Sequence, residues 1–242
     1  AKNIVDVDAC MTRLRVSVND HSAVGAEEQW KKAGAMGLLV KDNGVQAVYG
    51  PKADILKSDI QDLLDSGVEI PTTTLPPTSS AEETSATIFK GLNQEFVAPA
   101  NGQLIPIDQV QDEVFSQKMM GEGFAVVPEN GEIASPITGT VVSVFPTKHA
   151  IGLKTTDGIE VLLHMGLDTV DLEGAPFEIK VHEGEKIKAG KIVADVDLAK
   201  IQAADKLTTM VVVFTNGDKV KAYHYDKTGL VSRGESVGTI DY

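Results

Sequence analysis

The chain has 242 residues, 42% of them apolar and 24% charged, which suits one large or two small globular domains and excludes a disordered protein. A formal net charge of −13 argues against nucleic acid as a partner, because phosphate backbones are gripped by clustered Lys and Arg. No apolar run approaches the roughly 20 residues that span a bilayer, and one cysteine, Cys10, excludes an internal disulfide and any all-cysteine metal site.

The N-terminus, Ala1-Lys2-Asn3-Ile4, has neither a signal-peptide core nor an initiator Met, so the chain reads as cytosolic and as cut from something longer. Arg13 to Val18 alternates polar and apolar residues as a half-buried strand does. Ala26 to Ala35 has helix-forming composition. Leu38-Leu39-Val40 and Val45 to Tyr49 then flank Asp42-Asn43-Gly44, a tight-hairpin signal. Asp54 to Leu64 predicts an amphipathic helix with Ile55, Leu56, Ile60, Leu63 and Leu64 on one face, stopped by Gly67. Residues 1–67 therefore form a small α+β domain with an antiparallel sheet.

Residues 68–90 are rich in Thr, Ser, Pro and Glu and read as a flexible linker, stiffened early by Pro71, Pro76 and Pro77. From residue 91 to 242 the texture is short β-rich runs separated by Gly, Pro, Asn and Asp, the pattern of an all-β sandwich or barrel. Two pairs of segments echo one another. Ala98-Pro99-Ala100-Asn101-Gly102 resembles Ser135-Pro136-Ile137-Thr138-Gly139, and Glu183-Gly184-Glu185 resembles Arg233-Gly234-Glu235. Charge is uneven: residues 1–67 hold 8 basic and 10 acidic groups, and residues 68–242 hold 14 and 25. The acidic second part favours basic protein partners.

Two of the chain's three Arg, Arg13 and Arg15, follow Cys10 at three and five residues, on one face of the predicted strand. Guanidinium forks suit phosphate oxygens and lower a nearby thiol pKa, so a phosphocysteine site is coherent. A buried cysteine with the arginines paired to Asp6 or Asp8 fits the spacing as well. In the second part, His149 and His164 end two runs separated by the turn Lys154-Thr155-Thr156-Asp157-Gly158, so a hairpin can bring both imidazoles to one surface. A neutral imidazole accepts a phosphoryl group near pH 7, and a second one can fix its tautomer. Two unrelated surface histidines, or half a zinc site, are the plainer alternatives. His21, His182 and His224 read as surface residues.

The run Cys10-Met11-Thr12-Arg13-Leu14-Arg15-Val16-Ser17-Val18, with Gly44-Val45-Gln46-Ala47-Val48-Tyr49-Gly50, resembles the enzyme IIB domain of the glucose family of the bacterial sugar phosphotransferase system. Ser135 to Thr140, Thr147-Lys148-His149-Ala150 and His164-Met165-Gly166-Leu167-Asp168-Thr169-Val170 resemble its enzyme IIA domain. The resemblance implies that His164 is phosphorylated by a small histidine carrier protein, with His149 its auxiliary histidine and Thr147 bonded within that pair. It implies that Cys10 is the phosphocysteine, its phosphoryl group stabilised by Arg13, Arg15, Gln46, Thr12 and backbone N–H groups after Cys10. No metal or cofactor enters. The membrane-spanning sugar-translocating domain, IIC, would precede residue 1, and the sugar would be glucose or N-acetylglucosamine. Ile151 and Met165 replace bulkier family residues and are expected on a partner-facing apolar surface.

The linker, spanning on the order of 25 Å if it behaves as a flexible coil of about 20 residues, is expected to let His164 reach Cys10 in the same molecule. A cysteine phosphatase or redox thiol enzyme is one rival; it lacks a second cysteine and a Cys-to-Arg loop of phosphatase length. A biotinyl or lipoyl carrier module is another, suggested by the turns near Ser135 and Glu183, although Lys118-Met119-Met120 does not match the modified-lysine tip.

Overall fold

The computed structural model describes residues 3–9, 13–50, 53–65 and 93–242. The chain falls into two units, Ala1–Leu92 and Asn93–Tyr242. The linker at 68–90 lies outside the described residues, as do Cys10 and Thr12.

Period-two alternation builds the first unit. Its strands β1 (Ile4–Ala9), β2 (Arg13–Val18), β3 (Gly37–Lys41) and β4 (Gly44–Val48) make one antiparallel sheet in the order β1-β2-β4-β3. Leu14, Val16 and Val18 enter the core with Val7, Val45 and Ala47, which leaves Arg13, Arg15 and Ser17 on the opposite face. Between β2 and β3 lies α1 (Glu27–Lys32), shorter than the predicted helix because the chain turns at Ala33 and Gly34, the latter at φ 94. After β4, α2 (Ala53–Asp65) packs Leu56, Ile60 and Leu64 against the sheet. Asp42-Asn43 forms the β3–β4 turn where the sequence placed it, with Asp42 at φ 51. β1 has no counterpart in the sequence reading. Asp6 and Asp8 dilute its apolar signal, and its stability comes from pairing Val7 with Val16 on β2.

The second unit is a β-sandwich with two short helices. In chain order it contains β5 (Asn93–Val97), β6 (Gly102–Pro106), α3 (Glu113–Ser116), β7 (Gly123–Pro128), β8 (Glu132–Ala134) and β9 (Gly139–Val144). Then come β10 (Ala150–Lys154), β11 (Glu160–Leu167), β12 (Phe177–Ile179), β13 (Lys186–Ile187) and β14 (Ile192–Val196). Last are α4 (Leu198–Ala203), β15 (Leu207–Phe214), β16 (Ala222–Tyr225), β17 (Gly229–Val231) and β18 (Ser236–Asp241). An eight-stranded sheet in the order β13-β9-β10-β11-β15-β7-β6-β17 shares one core with two three-stranded sheets, β12-β14-β8 and β16-β18-β5. Phe96 on β5 ties the layers: its ring lies 5.3 Å from Phe124 on β7 and 5.3 Å from Phe214 on β15.

The strands that carry the site are buried on both faces. β11 is covered from Val161 to Leu167, and β15 from Thr209 to Phe214, so both read as nearly continuous apolar runs. This corrects the expectation for Ile151 and Met165: both are fully buried members of the core, not partner-facing surface. The first of the two sequence echoes becomes direct pairing. Val97 N–H donates to Pro136 O at 2.8 Å and Ala134 N–H to Pro99 O at 2.7 Å, while Gly234 N–H donates to Ala98 O and Gly190 N–H to Ser135 O, each at 2.9 Å. The two turn-plus-strand units of that first echo thus bond reciprocally. No described helix is long and apolar enough to cross a membrane.

Candidate active site

The β10–β11 hairpin assembles the histidine pair. Ala150 lies opposite His164, and Met165 N–H donates to His149 O at 2.7 Å, which carries the ladder one residue past the strand. His149 closes a turn that begins at Phe145 and passes through Lys148 at φ 56, so the run expected to end at His149 stops as a strand at Val144 instead. The imidazole centroids stand 5.0 Å apart at 74°. They occupy a recess more than an open surface: His149 is 1% exposed and His164 8%. Phe115 on α3 meets the His164 ring edge-on at 5.3 Å, and Phe145 lies 6.3 Å from His149.

Backbone geometry orients His164. β11 carries a bulge between Met165 and Leu167, where Gly166 adopts φ 79. A bulge redirects local groups, and here the Gly166 carbonyl turns back to within 2.7 Å of His164 Nδ1. A carbonyl can only accept, so Nδ1 carries the proton and, in the neutral ring, Nε2 carries the lone pair.

His149 is held differently. Thr147 Oγ1 lies 2.6 Å from His149 Nδ1. Burial, reinforced by the neighbouring His164, pushes the His149 imidazole from its ordinary 6.5 down to about 3. His149 is therefore neutral at pH 7. Because the folded value is depressed, its contribution to stability is complete above pH 6.5 and is lost as pH falls towards about 3, where the unfolded chain binds a proton that the native ring refuses. Urea titrations across that window should show His149→Gln flattening the pH dependence by up to about 1.4 kcal/mol per pH unit. Parallel curves for the two proteins would contradict this origin.

In the first unit, Arg13 Nη1 donates to Gln46 Oε1 at 3.1 Å, and Arg15 stands in register with Gln46 on one side and Asp8 on the other. Asp8 binds Lys57 Nζ at 2.9 Å, and that ammonium holds its carboxyl below the usual range. Asp8 therefore binds a lysine from α2 while also feeling the charge of Arg15 across the β1–β2 pair. β1 ends at Ala9 and β2 begins at Arg13, so the chain leaving residues 10–12 runs directly into the strand bearing both guanidinium groups.

His21, His182 and His224 are exposed, the last two beside Glu185 and Asp241. Lys118 follows α3 in a turn, paired with Glu122 at 2.7 Å, and is not a hairpin tip. Among the described residues, no group of three or more His, Cys, Asp or Glu could hold a metal ion. Sequence reasoning missed Gly166, Phe115 and Phe145. Only Gly166 left a local trace, a glycine two residues after a histidine at a strand end.

Residues 94–220 match the family described as phosphoenolpyruvate-dependent sugar phosphotransferase system, EIIA 1, and residues 1–24 match phosphotransferase system, EIIB. A "PTS system glucose-specific EIICBA component" from Streptococcus pneumoniae is 56% identical over 239 residues, 99% of this chain and 33% of that protein. A glucosamine-specific EIICBA component from Bacillus subtilis is 40% identical over 227 residues, 92% of this chain and 34% of its own length. The chain thus spans about a third of the length of the curated relatives it matches. Among solved structures, glucose permease IIA from Mycoplasma capricolum aligns with a TM-score of 0.57 and 38% identity, covering 61% of this chain and 96% of that one.

Proposed function

Since this chain belongs to the EIIA 1 family of the phosphoenolpyruvate-dependent sugar phosphotransferase system and carries an EIIB segment ahead of it, we propose that it relays a phosphoryl group through His164 and then Cys10. The observation that carries the reading is the histidine recess: two imidazoles 5.0 Å apart, one with Nδ1 committed to a backbone carbonyl. His164 Nε2 attacks phosphorus of a carrier phosphohistidine in line; the donor N–P bond breaks and its electron pair returns to the donor imidazole. We assign the Thr147 hydroxyl as the donor to His149 Nδ1, which leaves the proton on Nε2, from where it can donate to an oxygen of the migrating group. Phe115 and Phe145 make an apolar wall that keeps water from phosphorus.

The second exchange passes the group to Cys10, where Arg13, Arg15, Gln46 and Thr12 hold its oxygens, and the third to a sugar presented by a membrane IIC domain. Glucose and amino sugars of the same ring are the substrate class that relatives' names point to. The donor is a small basic histidine carrier. Exposed carboxylates at Glu113, on the helix that carries Phe115, and at Asp168 and Glu173, beyond β11, support such a partner. The domains are residues 1–67 for IIB and 91–242 for IIA, joined by 68–90, and they work at the cytoplasmic face of the membrane.

Incubation with phosphoenolpyruvate and the two general phosphotransferase proteins, read by mass spectrometry, tests the pair of sites. Wild type should gain one acid-labile and one acid-stable phosphoryl adduct, and Cys10→Ser only the acid-labile one. An acid-stable adduct persisting in Cys10→Ser would remove Cys10 from the relay.

A further inference from the structure

Thr169 takes no part in the exchanges described above, yet it is completely buried at the start of the turn that follows β11. Both halves of its side chain touch the peptide that orients His164. Its hydroxyl donates to Met165 O at 2.8 Å. Its methyl lies under Gly166 so closely that a Cβ on that glycine would come within 2.5 Å of Thr169 Cγ2 and 3.0 Å of Leu207 O. On the other side of the same unit, Met165 N–H is tied to His149 O. Met165 is therefore fixed at its amide by one histidine's carbonyl and at its carbonyl by Thr169. With Gly166 at φ 79, the next carbonyl in the chain is left pointing at His164 Nδ1.

We propose that Thr169 is a positioning residue that pins the Met165–Gly166 peptide, and so decides which nitrogen of His164 keeps its proton and which meets phosphorus. The inference rests on the reading of His164 as the phosphoryl acceptor. The hydroxyl is the operative half: without it the Met165 carbonyl can rotate, the Gly166 carbonyl loses its aim, and the two neutral tautomers of His164 approach one another in energy. The methyl limits how far Gly166 can settle and is the lesser contribution.

The test is nitrogen-15 NMR of the His164 imidazole in the whole chain with no phosphoryl donor present, comparing wild type, Thr169→Val and Thr169→Ser. Wild type and Thr169→Ser should show one tautomer, protonated at Nδ1, and Thr169→Val a mixture with Nε2–H. A single Nδ1–H tautomer in Thr169→Val, or a mixture in Thr169→Ser equal to that in Thr169→Val, would overturn the proposal. If the valine variant does not fold, Thr169→Ala takes its place with the same two outcomes. Adding phosphorylated carrier supplies a separate readout: the share of phosphate bonded to Nδ1 should rise in the hydroxyl-lacking variant. Absence of any His164 phosphorylation in wild type would instead sink the acceptor reading, leaving the tautomer result to judge Thr169 by itself.

Discussion

A chain carrying His164→Gln should take up no phosphoryl group from the phosphorylated carrier, either at position 164 or at Cys10. Removing the attacking nitrogen eliminates the first exchange outright, and losses on the order of 10⁴-fold or more accompany deletion of a nucleophile whose neighbours cannot substitute for it. His149, 5.0 Å away, is no substitute: only 1% of it is exposed, and Thr147 engages its Nδ1. On the proposed relay Cys10 loses its label as a consequence, because its phosphoryl group would arrive only through His164. Quantitative mass spectrometry after acid and neutral quenching separates the two positions. Labelling of Cys10 in the variant at the wild-type rate would show that the thiol is charged by another route.

The second large effect concerns His149. In the proposed relay it is a neutral donor aimed at a phosphoryl oxygen, where charge would develop during transfer, and loss of one such donor costs about 10²- to 10³-fold in rate. His149→Ala should therefore slow both uptake and onward transfer by roughly that factor. His149→Gln, whose amide can still donate, should recover part of the loss. Thr147→Val should fall between wild type and alanine, because it leaves the imidazole in place but releases its tautomer. Single-turnover rates measured by rapid quench decide the order. If glutamine and alanine were equally slow, the hydrogen-bond role would fail and only a packing role would remain.

The pairing of His149 with His164 was legible from the sequence because a hairpin is a local object: two β runs and a Gly-containing turn fix the register within a few residues. The opposed faces of β2 were legible for the same reason, through the alternation of Arg13 and Arg15 with Leu14 and Val16. What surrounds the histidines was not. Phe115 reaches His164 from an element 49 residues earlier in the chain, and nothing in the composition of α3 announces that meeting. Ile151 and Met165 were misplaced because a contrast with bulkier family residues beside the histidines says nothing of burial, and β10 and β11 are covered on both faces. β1 escaped for the converse reason: two aspartates and an exposed Val5 hide a strand that tertiary pairing alone makes. Gly166 and Thr169 show a third kind of gap, in which a carbonyl direction, set by one buried hydroxyl, has no side-chain signature.

The order of the two phosphorylated states is the central claim, and a single-turnover rapid-quench course tests it most directly. Carrier protein bearing one radiolabelled phosphoryl group is mixed with the chain, and acid-labile and acid-stable label are counted at each time. The relay requires acid-labile label on His164 to rise first and then decline as acid-stable label on Cys10 replaces it, mole for mole. Acid-stable label appearing without a preceding acid-labile phase, or both growing in parallel to a shared plateau, would contradict it.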